Sequence, residues 1–254
     1  MSRAERAAEI RRLMTAEGEA VRANTTGFNR GRYEQVADLD EYEALKARAG
    51  EIKAGAIDRA APLLDELEST VEANGGTVYL ADDAADADRY VGRVLSAADA
   101  ERVVKSKSMT TEEIELNESI EAAGVDVVET DLGEWVLQLA DEAPSHIVAP
   151  AIHRSRESIA ELFAERFDLD EAPGSAEELT AFARERLLAE VERADVGITG
   201  ANFLTADSGT MALVTSEGNA RKTALAPDVH VAVAGVEKVI PSVEELAPFL
   251  ELLG

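Results

Sequence analysis

Chemistry is first concentrated in this sequence at a cluster of lysines and serines. Val103-Val104 runs into Lys105-Ser106-Lys107-Ser108 and then into Met109-Thr110-Thr111-Glu112-Glu113. A strand that passes through a polar loop into a helix start presents free backbone N–H groups, which attract anions. Lysine occurs only six times in the chain, so two within three residues strengthen that pull. The plainer reading is a solvated loop whose hydroxyls cap the next helix. A second segment runs from Gly197 to Thr210. Gly197, Gly200 and Gly209 allow tight turns or close backbone approach, and Asn202, Asp207, Ser208 and Thr210 supply donors and acceptors. Its glycine spacing fits neither a Walker loop nor a dinucleotide fingerprint, and a structural turn would also account for it. A third, Ser216-Glu217-Gly218-Asn219-Ala220-Arg221-Lys222, offers Glu217 as a general base and Arg221 or Lys222 as a carboxylate clamp. Gly and Asn favour a hairpin turn there on their own account. A fourth, Pro150-Ala151-Ile152-His153-Arg154, offers His153 as acid, base or donor near neutral pH. His146 and His230 fall inside strand-like runs, and the three histidines lack metal-ligand spacing.

The elements that must position these residues follow from periodicity. Residues 1–70 read as a helical arm: one helix over 1–23, a break at Asn24-Thr25-Thr26-Gly27, then a helical stretch from Tyr33 to Leu67 that Pro62 kinks or restarts. Asn74-Gly75-Gly76 marks a turn, and residues 71–254 read as the main domain. Strands are predicted at 77–80, 102–105, 125–129 and 145–149. Helices are predicted at 86–97, 111–123 (boxed by Thr110 and Glu113), 132–139, 156–167 and from Ser175 to about Arg193. This alternation implies βαβ units and a mostly parallel sheet flanked by helices. Short strands at 195–199, 210–215, 223–225 and 229–234, with a hairpin turn at 216–219, make the sheet mixed. Ser242 and Glu245 are read as capping a last helix. Open α/β sheets bind ligands at the carboxyl ends of their strands, which is where the lysine loop and the His153 loop fall.

Composition narrows the function classes. Asp and Glu number 51 against 25 Lys and Arg, a net charge of −26, so nucleic acid and anionic membrane surfaces are disfavoured partners. An apolar content of 46% argues for a folded core rather than an acidic disordered chain. The acidic residues are scattered, as on a protein suited to high salt, and loss of structure in dilute buffer is the expectation. No apolar run is long enough to insert in a membrane, and the N-terminus lacks a signal-peptide core, which places the chain in the cytoplasm. With no cysteine, disulfides, thiolate metal sites and catalytic thiols are excluded.

Taken in order, seven segments resemble one family. They are Lys105 to Asn117; Val128-Glu129-Thr130-Asp131-Leu132-Gly133-Glu134-Trp135; Pro144 to His153; Gly200-Ala201-Asn202-Phe203; Asp207-Ser208-Gly209-Thr210; Glu217-Gly218-Asn219; and Gly235-Val236-Glu237-Lys238. The resemblance is to the lactate-utilization (LUD) domain, in the form found at the N-terminus of the iron–sulfur proteins of L-lactate oxidation. It covers about residues 70–245. It implies a fold similar to that of glucosamine-6-phosphate isomerase, ribose-5-phosphate isomerase and CoA transferases. It also implies work alongside companion lactate-utilization proteins in converting L-lactate to pyruvate, with electrons passing through iron–sulfur clusters. In that family a ferredoxin-like region with cysteine motifs follows the LUD domain. This sequence ends at Gly254 without a cysteine, so the expectation is no cofactor in this chain, with clusters in a further C-terminal region or in partner proteins.

Three readings follow. In the first, the domain binds a small organic acid such as L-lactate, or docks partner subunits. Lys105, Ser106, Lys107, Ser108 and Arg221 would hold the carboxylate, and Gly200, Asn202, Asp207, Ser208, Gly209 and Thr210 would form the opposing wall. In the second, it is an autonomous isomerase or acyl-transfer enzyme with Glu217, Asp207 or His153 as the catalytic group. In the third, it is a non-catalytic interaction module. A homo-oligomer is compatible with all three.

Overall fold

The computed structural model describes residues 7, 8, 11, 12, 15, 18–142, 151, 154–215 and 217–253. The chain runs through α1 (Gly18–Asp38), α2 (Tyr42–Asp58), α3 (Ala60–Ala73) and α4 (Ala84–Ala97) to β1 (Arg102–Lys105). Next come α5 (Met109–Glu113), α6 (Leu116–Ala122) and β2 (Asp126–Glu129). Helices α7 (Leu132–Ala140), α8 (Arg156–Phe167) and α9 (Ala176–Glu192) lead to β3 (Val196–Thr199). After the hairpin of β4 (Phe203–Thr205) and β5 (Thr210–Ala212) come α10 (Asn219–Leu225), β6 (Val229–Ala232), β7 (Val239–Ile240) and α11 (Ala247–Leu253).

The expected α/β architecture is present. Its central sheet has the order β2-β1-β3-β6 with all pairs parallel. The mixed character lies in a second, smaller sheet, β5-β4-β7, where β4 pairs antiparallel with β5 and parallel with β7. Strand alternation sends Val103, Val127, Val196 and Ile198 to one face of the central sheet, where Val91 and Leu95 of α4 and Leu116 and Ile120 of α6 cover them. On the other face α10 lies directly on β3. A Cβ at Gly197 would come within 1.8 Å of the Thr223 carbonyl oxygen, so only glycine permits that approach. Trp135, Val136, Phe163, Leu179 and Ala183 join α7, α8 and α9 into an aromatic-rich core against Val128 of β2. Helices α2, α3 and α11 cover the small sheet, packing Ile52, Leu63, Leu67 and Phe249 against Val239 and Ile240 of β7. Among the described residues, no helix is long and apolar enough to cross a membrane.

Several local expectations are corrected. Residues 24–27 do not break a helix; α1 runs through them, with the Thr25 and Thr26 hydroxyls donating to the Arg22 carbonyl. Residues 77–80 form no strand. Tyr79 stacks on Tyr90 at 4.0 Å and its hydroxyl donates to Asp86, so side chains tie this segment to α4 instead of a sheet. The helix expected over 111–123 is two helices, parted by Glu115 at φ 55°, and its cap is Ser108, whose hydroxyl accepts from Thr111 N. Residues 223–225, read as a strand after a hairpin turn, are the end of α10, which starts after Gly218 at φ 74°. A short apolar run is ambiguous between strand and helix, and packing on Gly197 decides it. Ser242 makes no side-chain cap; a 3₁₀ turn over Val243–Leu246 precedes α11. The strand expected at 145–149 lies outside the described residues.

Candidate functional site

The chain passes from β1 to β2 on one side and then crosses to β3 on the other. The loops after β1 and β3 therefore diverge from neighbouring strands, which is the topological switch point of an open α/β sheet. The two loops do meet there. Ser106 N donates to the Ile198 carbonyl at 2.9 Å. A Cβ at Gly200 would fall 2.6 Å from Ser108 Oγ, so glycine is what lets the loops close on each other.

The lysines of this rim are engaged internally. Lys105 and Glu129 end β1 and β2 in register, and their side chains form a 2.8 Å ion pair. Only 1% of the Lys105 side chain is exposed; Thr111 Oγ1 accepts from it at 3.2 Å, and Asn117 Nδ2 donates to Glu129 at 2.7 Å. Lys105 is thus a buried structural cation that fastens the ends of two strands. Lys107 pairs with Glu134 at 2.7 Å, bridging the β1 loop to the first turn of α7. Burial, then a hydrogen bond with Asp131, push the Glu134 carboxyl up to about 8 against the pull of Lys107. Asp131 is itself the cap of α7, accepting from Gly133 N at 3.1 Å.

Beside this rim lies a cavity of about 360 Å³ between α9, the start of α10 and the residues that follow β2. Thr130, Arg184, Glu217, Asn219 and Lys222 give it polar groups, and Leu132, Leu187, Leu188 and Val191 give it an apolar wall. Thr130 fixes the floor: its N–H and hydroxyl both donate to the Lys105 carbonyl, and its Oγ1 is 3.1 Å from Thr223 Oγ1 of α10. Glu217 precedes Gly218, the residue from which α10 starts, and Lys222 lies in the last turn of α10, its N–H donating to the Gly218 carbonyl. Partial burial pushes the Glu217 carboxyl up; Asp131 adds to the shift and Arg184 opposes it. Among the described residues, neither Arg184 nor Lys222 is seen in an ion pair, although the chain carries 51 carboxylates.

A family model for the LUD domain matches residues 64–253. The chain belongs to the LUD domain family. The LUD chain is 43% identical over 235 residues to "Lactate utilization protein B" of Oceanobacillus iheyensis, covering 92% of this chain and 49% of that protein. It is 45% identical over 219 residues to the protein of the same name from Shouchella clausii, covering 85% and 46%. It is 40% identical over 222 residues to "Uncharacterized electron transport protein YkgF" of Escherichia coli K12, covering 87% and 46%. The chain spans about half the length of the curated relatives it matches.

The LUD domain distributes the remaining sequence-predicted residues over several places. Asn202 ends the β3 loop, its side-chain oxygen accepting from Val214 N at 2.8 Å. Ser208 and Gly209 lie in the turn between β4 and β5, and Thr210 begins β5; there Asn74, just after α3, donates to the Ser208 carbonyl and Ser208 Oγ bonds Thr205 and Thr210. Asp207 N donates to the Pro241 carbonyl, and Arg221 is exposed on α10. His153 lies outside the described residues. His230 bonds Thr199 at 2.9 Å, and burial lowers its pKa. Sequence reasoning reached Glu217 and Lys222 but passed over Thr130 and Arg184. Arg184 is one of two arginines on α9, and nothing in its local sequence distinguishes it from Arg186.

An iron–sulfur cluster is ordinarily held by cysteine thiolates. The donor set here contains none, so this chain's residues do not fit one. Among the described residues no group of three or more His, Asp or Glu side chains is arranged to hold a metal ion.

Proposed function

We propose that this LUD chain serves L-lactate utilization as a ligand-binding component, taking a small carboxylate in the cavity between α9 and α10. The observation that carries the reading is the pair of cations at that cavity, Arg184 and Lys222, seen in no ion pair among the described residues of a chain with net charge −26. A carboxylate there gains charge-assisted hydrogen bonds, which are stronger than neutral ones. Thr130, Asn219 and Glu217 supply donors and acceptors for a 2-hydroxyl group beside it. Glu217, with its pKa raised by partial burial, accepts a hydroxyl hydrogen bond or proton when ionised. The names of the relatives support lactate as the acid. Electron transfer through clusters, and the companion proteins that would supply it, belong in this reading outside the chain.

Calorimetric titration of the chain with L-lactate tests the proposal. Arg184→Ala and Lys222→Ala are each expected to weaken binding about 10- to 100-fold, the range for losing a hydrogen bond to a charged group. Absence of lactate binding, or equal binding by both variants and the wild type, would overturn it.

A further inference from the structure

The cavity is larger than lactate needs, and the surplus is apolar. Lactate has six non-hydrogen atoms. Allowing each no more than a water molecule's share of the liquid, about 30 Å³, they occupy at most roughly 180 Å³. The cavity measures about 360 Å³, so about half of it or more would stay empty around that acid. Its groups are also sorted along α9. Arg184 lies close enough to Glu217 to act on its carboxyl, and Lys222 lines the same cavity from α10. One turn on, Leu188 continues the Thr180–Arg184 row, while Leu187 and Val191 form the adjacent row. Leu132, at the start of α7, faces these rows from the β2 side. The methyl group of lactate covers only a small part of that wall.

Resting on the binding role proposed above, we infer that this cavity accepts 2-hydroxy acids whose side chain is an aliphatic tail of several carbons, carboxylate toward Arg184 and Lys222 and tail along Leu187, Leu188 and Val191. No covalent step is involved. The selectivity follows from burial: each methylene moved from water onto an apolar wall contributes about 0.8 kcal/mol, close to a fourfold gain in affinity. The gain continues until the free volume is filled. Pockets of a few hundred Å³ lined mainly by apolar side chains, with a few convergent polar groups, are the usual form of small-molecule sites.

The test is a homologous series titrated calorimetrically into the whole chain: L-lactate, 2-hydroxybutanoate, 2-hydroxypentanoate and 2-hydroxyhexanoate. Wild-type affinity is expected to rise about three- to fourfold per added carbon. In Leu188→Gln, whose folding is checked by circular dichroism, the ratio of 2-hydroxyhexanoate to lactate affinity should collapse by about tenfold. Lactate binding with no gain along the series would overturn this inference and leave the proposed function standing. A gain that persists in Leu188→Gln places the tail elsewhere and overturns it as well. A rising series without measurable lactate binding supports the inference and removes lactate from the proposed function. No binding by any member rejects both.

Discussion

Replacing Lys105 by Met tests whether that lysine is a structural cation. Met keeps the length of the side chain and removes its charge. Glu129, with 7% of its side chain exposed, is then left buried with the Asn117 amide and without its cation. Its other carboxylate oxygen, Oε2, already lacks a partner among the described residues, so nothing nearby compensates. Removing one partner of a buried ion pair costs about 3–5 kcal/mol, because the remaining charge keeps its desolvation penalty. Thr111 loses the 3.2 Å donor as well. Against a typical total stability of about 5–15 kcal/mol this is a large fraction. At roughly 2–4 °C per kcal/mol for a chain of this size, the melting temperature should drop by about 6–20 °C. Removing both charges, in Lys105→Met with Glu129→Leu, should recover most of the loss, since well-packed apolar replacements of buried pairs are often neutral. Urea unfolding followed through Trp135 reads this out, since Trp135 is the only tryptophan and is buried between α7, α8 and α9. A single variant within about 1 kcal/mol of wild type, or a double variant no better than the single, would refute the reasoning. Either result would free Lys105 for the carboxylate-binding role that its sequence context suggests.

Two further outcomes are expected. Glu134 is raised to about 8 in the folded chain, so between its ordinary value of 4.5 and about 8 the native state holds a proton that the unfolded state has lost. Stability should therefore fall as pH rises through that window, by up to about 1.4 kcal/mol per pH unit from this group. In Glu134→Gln the urea midpoint should decline less between pH 5 and 8; an identical decline would show that the group does not titrate there. Gly197→Ala should destabilise by several kcal/mol or prevent folding, because a 1.8 Å approach to the Thr223 carbonyl forces α10 off β3. Wild-type thermal stability in that variant would contradict the packing of α10.

The division between sequence and tertiary structure falls along range. Alternating short apolar runs and amphipathic stretches, with Ser175 capping α9 and Gly124 at φ 83° after α6, are signals within a few residues of one another. They determined the α/β class, the positions of β1, β2 and β3, and the sequence of loops that the family shares. The charge of −26 set the expectation of which partners are disfavoured, and the lack of cysteine leaves this chain without thiolate chemistry. Tertiary structure alone decided that Lys105 meets Glu129, 24 residues away. Both are polar residues ending short strands, and only the parallel register sets them side by side. It decided that residues 223–225 are helical, since their apolar pattern suits either state until Gly197 makes room for a helix. It also decided that Arg184 joins Thr130, Glu217 and Lys222 around one cavity. Periodicity reports which face of an element is apolar; it carries no information on which distant faces meet, and that is settled by packing over the whole chain.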